Sequence, residues 1–205
     1  MIDDVLAFWF GEPPKSTEEY GKQVRRWFMG GSALDAEIRA RFAPLLEQAL
    51  AGGLDDWAQT LRGRLALILV LDQFPRSIYR DEPRMYAGDA KAQPLTIEAL
   101  DRGLDAELSI EHRQFLVMPM LHAENLTLQE RGVVAMRACF EAAEPWQREI
   151  LKMATEQSEK YRGVIAKFGR FPHRNAILGR TNTPDEDAFL LDWKAKQAPT
   201  GSNAL

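Results

Sequence analysis

The sequence predicts an all-α protein of stacked antiparallel helix pairs, and three observations carry that expectation. Apolar residues recur at spacings of three and four in almost every segment. Strand-like alternation is scarce. Glycine and proline stand between the apolar segments, leaving room only for short connections, and helices joined by short connections pack against their neighbours.

Val5, Leu6, Phe8, Trp9 and Phe10 form a first apolar patch, ended by Gly11 and Pro13-Pro14. A second helix is expected over Thr17–Met29, stopped by Gly30-Gly31. Ser32 and Asp35 offer caps for a third, over Ala33–Ala51, with Ile38, Phe42, Leu45, Leu46, Ala49 and Leu50 on one face. A fourth spans Asp56–Phe74. It begins amphipathic and turns apolar on all sides at Leu65–Leu71, which places it at the centre of the fold. Further helices are expected over Gly88–Arg102, Ile110–Glu124, Thr127–Glu144, Trp146–Phe168 and Pro184–Trp193. Pro119 predicts a kink or break in its helix. Residues 1–194 read as a single domain and 195–205 as a flexible tail. No convincing internal repeat of 30 to 45 residues is visible.

With 205 residues, 45% hydrophobic and 27% charged, the chain has an ordinary globular composition and not that of a disordered protein. Its net charge of −4 opposes general phosphate binding, so no nucleic-acid partner is expected, and any anion site must be a local arginine cluster. The longest apolar run, Leu65–Leu71, falls far short of the roughly 20 residues of a membrane span. Asp3 and Asp4 stand where an export signal carries basic residues, and Cys139 is a lone thiol, so a cytoplasmic protein is expected. No phosphate loop, dinucleotide glycine pattern, nucleophile elbow or calcium loop is present. His112, His122 and His173 have no metal-ligand spacing, so neither a metal nor a cofactor is expected.

Three polar stretches stand out. In the first, Asp72 follows the apolar run, and a carboxylate there needs an arginine or several N–H donors. Pro75 can open a new helix, and Arg76 and Arg80, four apart, can share a face beside its start. The stretch is either a locked helix junction or a ligand site. In the second, His122 and Glu124 diverge on a regular helix but can turn toward one pocket at a helix end. They are the candidate acid/base residues; the alternative is a hydrogen-bonded histidine and a solvent-facing glutamate. In the third, Gly169 can end a long helix, and Arg170, His173, Arg174 and Asn175 follow on a turn around Pro172. That density fits a carboxylate or phosphate grip, or equally a structural latch.

The strings Val5-Leu6-Ala7-Phe8-Trp9-Phe10-Gly11, Leu71-Asp72-Gln73-Phe74-Pro75-Arg76, Pro119-Met120-Leu121-His122-Ala123-Glu124 and Phe168 through Arg180 together resemble the domain of unknown function 924 family, over about Ile2 to Trp193. The resemblance implies an all-helical, tetratricopeptide-like superhelical array and supplies no reaction. It also implies one departure: members often carry a histidine one or two turns before the Phe-Gly-Arg string, where this chain has Tyr161.

Two function classes follow. One is a helical-repeat-like binding protein, with Asp72, Arg76, Arg80, Arg170, His173, Arg174 and Asn175 holding a small anionic ligand or a protein partner's carboxylate. The other is an enzyme acting on a small anionic substrate, with His122 or Glu124 moving a proton. Geometry separates both from a purely structural use of these groups: ligand binding needs the side chains to converge on a cavity that solvent can reach.

Overall fold

The computed structural model describes residues 1–197, with side chains through Trp193. It is all-α, with no strand among the described residues. The helices are α1 (Ile2–Phe10), α2 (Thr17–Met29), α3 (Gly31–Leu50), α4 (Leu61–Ile68), α5 (Phe74–Ile78), α6 (Asp89–Asp101), α7 (Ile110–Leu121), α8 (Leu126–Ala142), α9 (Arg148–Phe168) and α10 (Pro184–Gln197). Consecutive members pack on one another from α6 to α9, while α3 lies against α5 and α1 against α4. None of the described helices is long and apolar enough to cross a membrane.

Several ends follow from local chemistry. Ser16, Thr60 and Asn125 accept the N–H groups of Glu19, Gly63 and Leu128, filling donors that a first turn leaves unpaired. Gly169 closes α9 at φ 69°, the left-handed conformation in which a side chain is strained.

Other boundaries differ from expectation. The third helix uses neither Ser32 nor Asp35 as a cap; α3 begins at Gly31 straight after α2. The helix expected over Asp56–Phe74 is in fact three pieces. A 3₁₀ turn over Asp55–Gln59 ends at Thr60, whose extended backbone caps α4. After Ile68 the chain widens into a π-turn over Leu69–Gln73 and runs on into α5 without a break. Pro75 therefore opens no separate helix: Phe74 is helical at φ −65° and ψ −37°. Pro119 does not break its helix, which reaches Leu121; Glu124 lies beyond it, in the connection to α8. The last helix extends to Gln197, so the expected tail begins in helix, and its remainder, 198–205, lies outside the described residues.

The core is centred where the apolar run predicts. Leu65 through Leu71 are essentially inaccessible, as are Trp9, Ile38, Leu46, Phe74 and Phe115 from the surrounding helices. Polar crosslinks set the elements around it. Buried Arg64 donates to the carbonyls of Ala58 and Leu95, tying the 3₁₀ turn and α6 to α4. Thr96 donates to the Leu116 carbonyl, joining α6 to α7. Gln129 donates to the carbonyls of Leu121 and Ala123, so α8 satisfies the end of α7 just where His122 leaves it. Gly88, at the start of α6, lies so close to the π-turn that a Cβ there would sit 2.0 Å from the Leu71 carbonyl oxygen. That approach delivers Asp89 to the residues described next.

Candidate functional site

Asp72 sits in the π-turn with no exposed surface. Its carboxylate accepts from the His122 ring at 2.8 and 3.0 Å and from the Gln73 amide at 2.5 Å, with the Arg76 guanidinium 3.5 Å away. Arg76 also donates to the Asp72 backbone carbonyl one turn earlier. Burial by itself would raise the Asp72 carboxyl; Arg76, and after it His122, hold it below the ordinary carboxylate range.

His122 is the first residue past α7. Burial, reinforced by the nearby Arg76 charge, lowers its pKa despite the Asp72 carboxylate. The ring is therefore neutral at pH 7. An Asp72 carboxylate accepts only a proton-bearing nitrogen, so Nδ1 carries the hydrogen and Nε2 keeps its lone pair.

The third stretch reaches this cluster through one residue. Arg174, 6% exposed, donates to the His122 carbonyl at 3.0 Å and lies 3.5 Å from Asp89. Arg76 meets the same Asp89 carboxylate at 3.0 Å. Both guanidinium groups lie over the Tyr86 ring, at 5.8 Å for Arg76 and 4.6 Å for Arg174. Two carboxylates thus balance two guanidinium groups around a neutral imidazole.

Other sequence candidates go elsewhere. Arg170 makes a two-pronged pair with Glu186 at 2.7 and 2.8 Å, and Asn175 donates to Asn182 and Glu186. His173 is exposed and lies flat against Trp193. Glu124 accepts the Phe171 N–H at 2.8 Å and both arms of Arg180 at 2.6 and 2.9 Å. These contacts pin the Phe171–Arg180 segment to the rest of the protein, a latch geometry. Burial pushes the Glu124 carboxyl up, but Arg180 and the Phe171 N–H more than compensate, so it stays ionised. Arg80 pairs with Asp35 at 2.6 and 2.8 Å and is half-exposed. No cluster of metal-ligating side chains occurs among the described residues.

A cleft of about 300 Å³ opens beside the cluster. Its polar wall includes Gln73, Arg76, Ser77, Arg80 and His122. Trp9, Trp27, Phe28, Met118, Met136 and Met153 supply much of the rest, and Gln157, Ser158 and Tyr161 come from α9. Asp72, Glu124, Arg170, His173, Arg174 and Asn175 do not line it, and no carboxylate does. The sequence reading missed Asp89 and Tyr86, which no motif marks, and the apolar walls, which look like ordinary core. Tyr161, where the family resemblance leads one to expect histidine nearby, is a wall residue.

Comparison with known proteins agrees with the fold. No curated protein matches the chain. A solved structure, that of the protein of unknown function ATU0120 from Agrobacterium tumefaciens, is similar, with 32% identity and a TM-score of 0.75 over 93% of this chain and 97% of that one. The model of DUF924, described as a bacterial protein of unknown function, matches residues 5–193. The strings around Trp9, Asp72, His122 and Arg174 are therefore those of a family member: the chain belongs to the DUF924 family.

Proposed function

We propose that this protein binds a small anionic molecule in the cleft, with Arg76, Gln73 and His122 receiving its polar group. The observation that carries this reading is the sign of the wall: its charged residues are Arg76 and Arg80, and it has no acid. Asp72 and Asp89 stand behind Arg76 and hold its fork in place, so little side-chain entropy remains to be lost when a ligand arrives. Of the other arginines expected to contribute, Arg174 supports this wall from behind through Asp89 and the His122 carbonyl. A thermal-shift titration with acetate, benzoate, phosphate and citrate tests the reading. A dose-dependent rise that Arg76→Lys weakens supports it; no rise with any of the four counts against it. A ligand at 100 times its Kd should stabilise by about 2.7 kcal/mol.

A second reading rests on the Asp72–His122 pair. A neutral imidazole with its tautomer fixed by a carboxylate is the arrangement of a general base. In that reading Nε2 takes a proton from water attacking a bound ester and returns it to the leaving alcohol. Hydrolysis of p-nitrophenyl acetate that falls with His122→Gln, and not with His112→Gln or His173→Gln, would favour the enzyme.

A further inference from the structure

We infer that the ligand of the cleft is amphipathic: a single carboxylate on an apolar chain or ring, with the carboxylate at Arg76 and the apolar body against the tryptophan and methionine wall. This rests on the proposed binding of an anion in the cleft and specifies its class.

The head group follows from charge. The arginines on the wall are each already bonded to a carboxylate outside it, Arg76 to Asp89 and Arg80 to Asp35. The surroundings of a multiply charged ligand would therefore be close to neutral, and its lost hydration would go uncompensated. One carboxylate asks for less. The planar guanidinium of Arg76 and the amide of Gln73 are donors that line the cleft. A cationic head would face guanidinium groups and no acid.

The body follows from the apolar lining. Seven large apolar side chains are substantially exposed among the described residues, and two of them, Phe28 at 47% and Met153 at 40%, stand on this one cleft. Uncovered apolar side chains beside a fixed polar group are what an amphipathic ligand covers. Methionine adapts its shape to a chain or a ring equally well. The volume, about 300 Å³, is roughly ten times the share of one liquid water molecule. That leaves room for a head group and a body of medium length.

Titration calorimetry on the whole protein tests this with butyrate, hexanoate, octanoate and 3-phenylpropionate, alongside octylammonium, phosphate and citrate. Each methylene that leaves water tightens binding about fourfold, so octanoate should bind at least thirtyfold more tightly than butyrate. Met153→Ser should weaken octanoate several-fold and leave butyrate unchanged. Arg76→Lys should weaken both together. Gln73→Ala is a second test of the head position if Arg76→Lys fails to fold. Equal affinity along the carboxylate series, or phosphate or citrate binding as tightly as octanoate, overturns the amphipathic class while leaving anion binding intact. Octylammonium binding as well as octanoate overturns the head assignment and the anion reading together. No binding by any probe overturns both.

Discussion

Arg76 and Arg174 share the carboxylate of Asp89, at 3.0 and 3.5 Å. Two guanidinium groups that would repel each other are held side by side by an acid from the first turn of α6. Through that acid the Phe171–Arg180 segment, late in the chain, is fastened to α5, the continuation of the π-turn.

Asp89→Asn should therefore destabilise the protein by about 3 kcal/mol, since it leaves two largely buried cations without their common partner. Arg174→Met in the Asp89→Asn background should cost less than in the wild type. The difference in a double-mutant cycle should be about 0.5–3 kcal/mol, read from urea midpoints. Strictly additive losses would mean that the shared contact contributes nothing.

Asp72→Ala should cost about 3–5 kcal/mol, because it removes a fully buried acceptor from His122, Gln73 and Arg76 at once. A variant that melts like wild type would contradict the buried cluster.

Stability should fall as the pH drops below about 6.5. His122 and His112 both have pKa values lowered by burial from the ordinary 6.5. The unfolded chain then binds protons that the folded chain refuses, and the loss grows as pH falls through that range. His122→Gln can keep a donor toward Asp72 and cannot be protonated. Its melting temperature should be lower at pH 7.5 and should decline less between pH 7 and 5 than that of wild type. An unchanged slope would show that His122 is not held neutral.

Glu124→Gln separates latch from site. It keeps the shape and removes the charge that meets Arg180 and the Phe171 N–H. Stability should drop by about 1–3 kcal/mol, on the scale of a charge-assisted hydrogen bond. Octanoate affinity should not change, because Glu124 is not on the cleft wall.

Gly88→Ala should be destabilising by about 1–3 kcal/mol through overpacking. The added carbon meets the Leu71 backbone, which lies at the centre of the core and has nowhere to retreat. Thermal unfolding of the single variant checks this.

The parts of this arrangement legible in the sequence are those set by local rules. Asp72 had to be buried because it ends a run with no polar face, and Arg76 falls one helical turn later, within reach of it. Gly169 closing α9 follows from the same kind of reasoning. The Asp72–His122 pair and the shared Asp89 are tertiary meetings, and nothing near Gly88 or Asp89 in sequence marks the partner. In the Arg170–Arg180 segment, the density of arginine was visible but the destinations were not. A tight turn sends successive side chains in different directions, so Arg174 enters the cluster while Arg170 and Asn175 turn to Glu186. The cleft itself was hidden because periodicity marks Trp9, Met136 and Ile150 as apolar, and does not show where their packing stops. The π-turn was invisible for a related reason: one extra residue within a wholly apolar run disturbs no pattern of faces.

That extra residue has a consequence for chain length. An α-helix advances roughly 100° per residue, so a π-turn acts as a phase shift that rotates everything after it relative to everything before it. Removing one residue between Leu69 and Leu71 would restore an ordinary helix, with its full set of backbone bonds and its apolar character intact. It would also swing Gln73, Arg76 and Arg80 about the axis, away from His122. A single codon deletion would thus regularise the helix while turning Phe74 and Ile78 out of the core and dismantling the wall of the cleft.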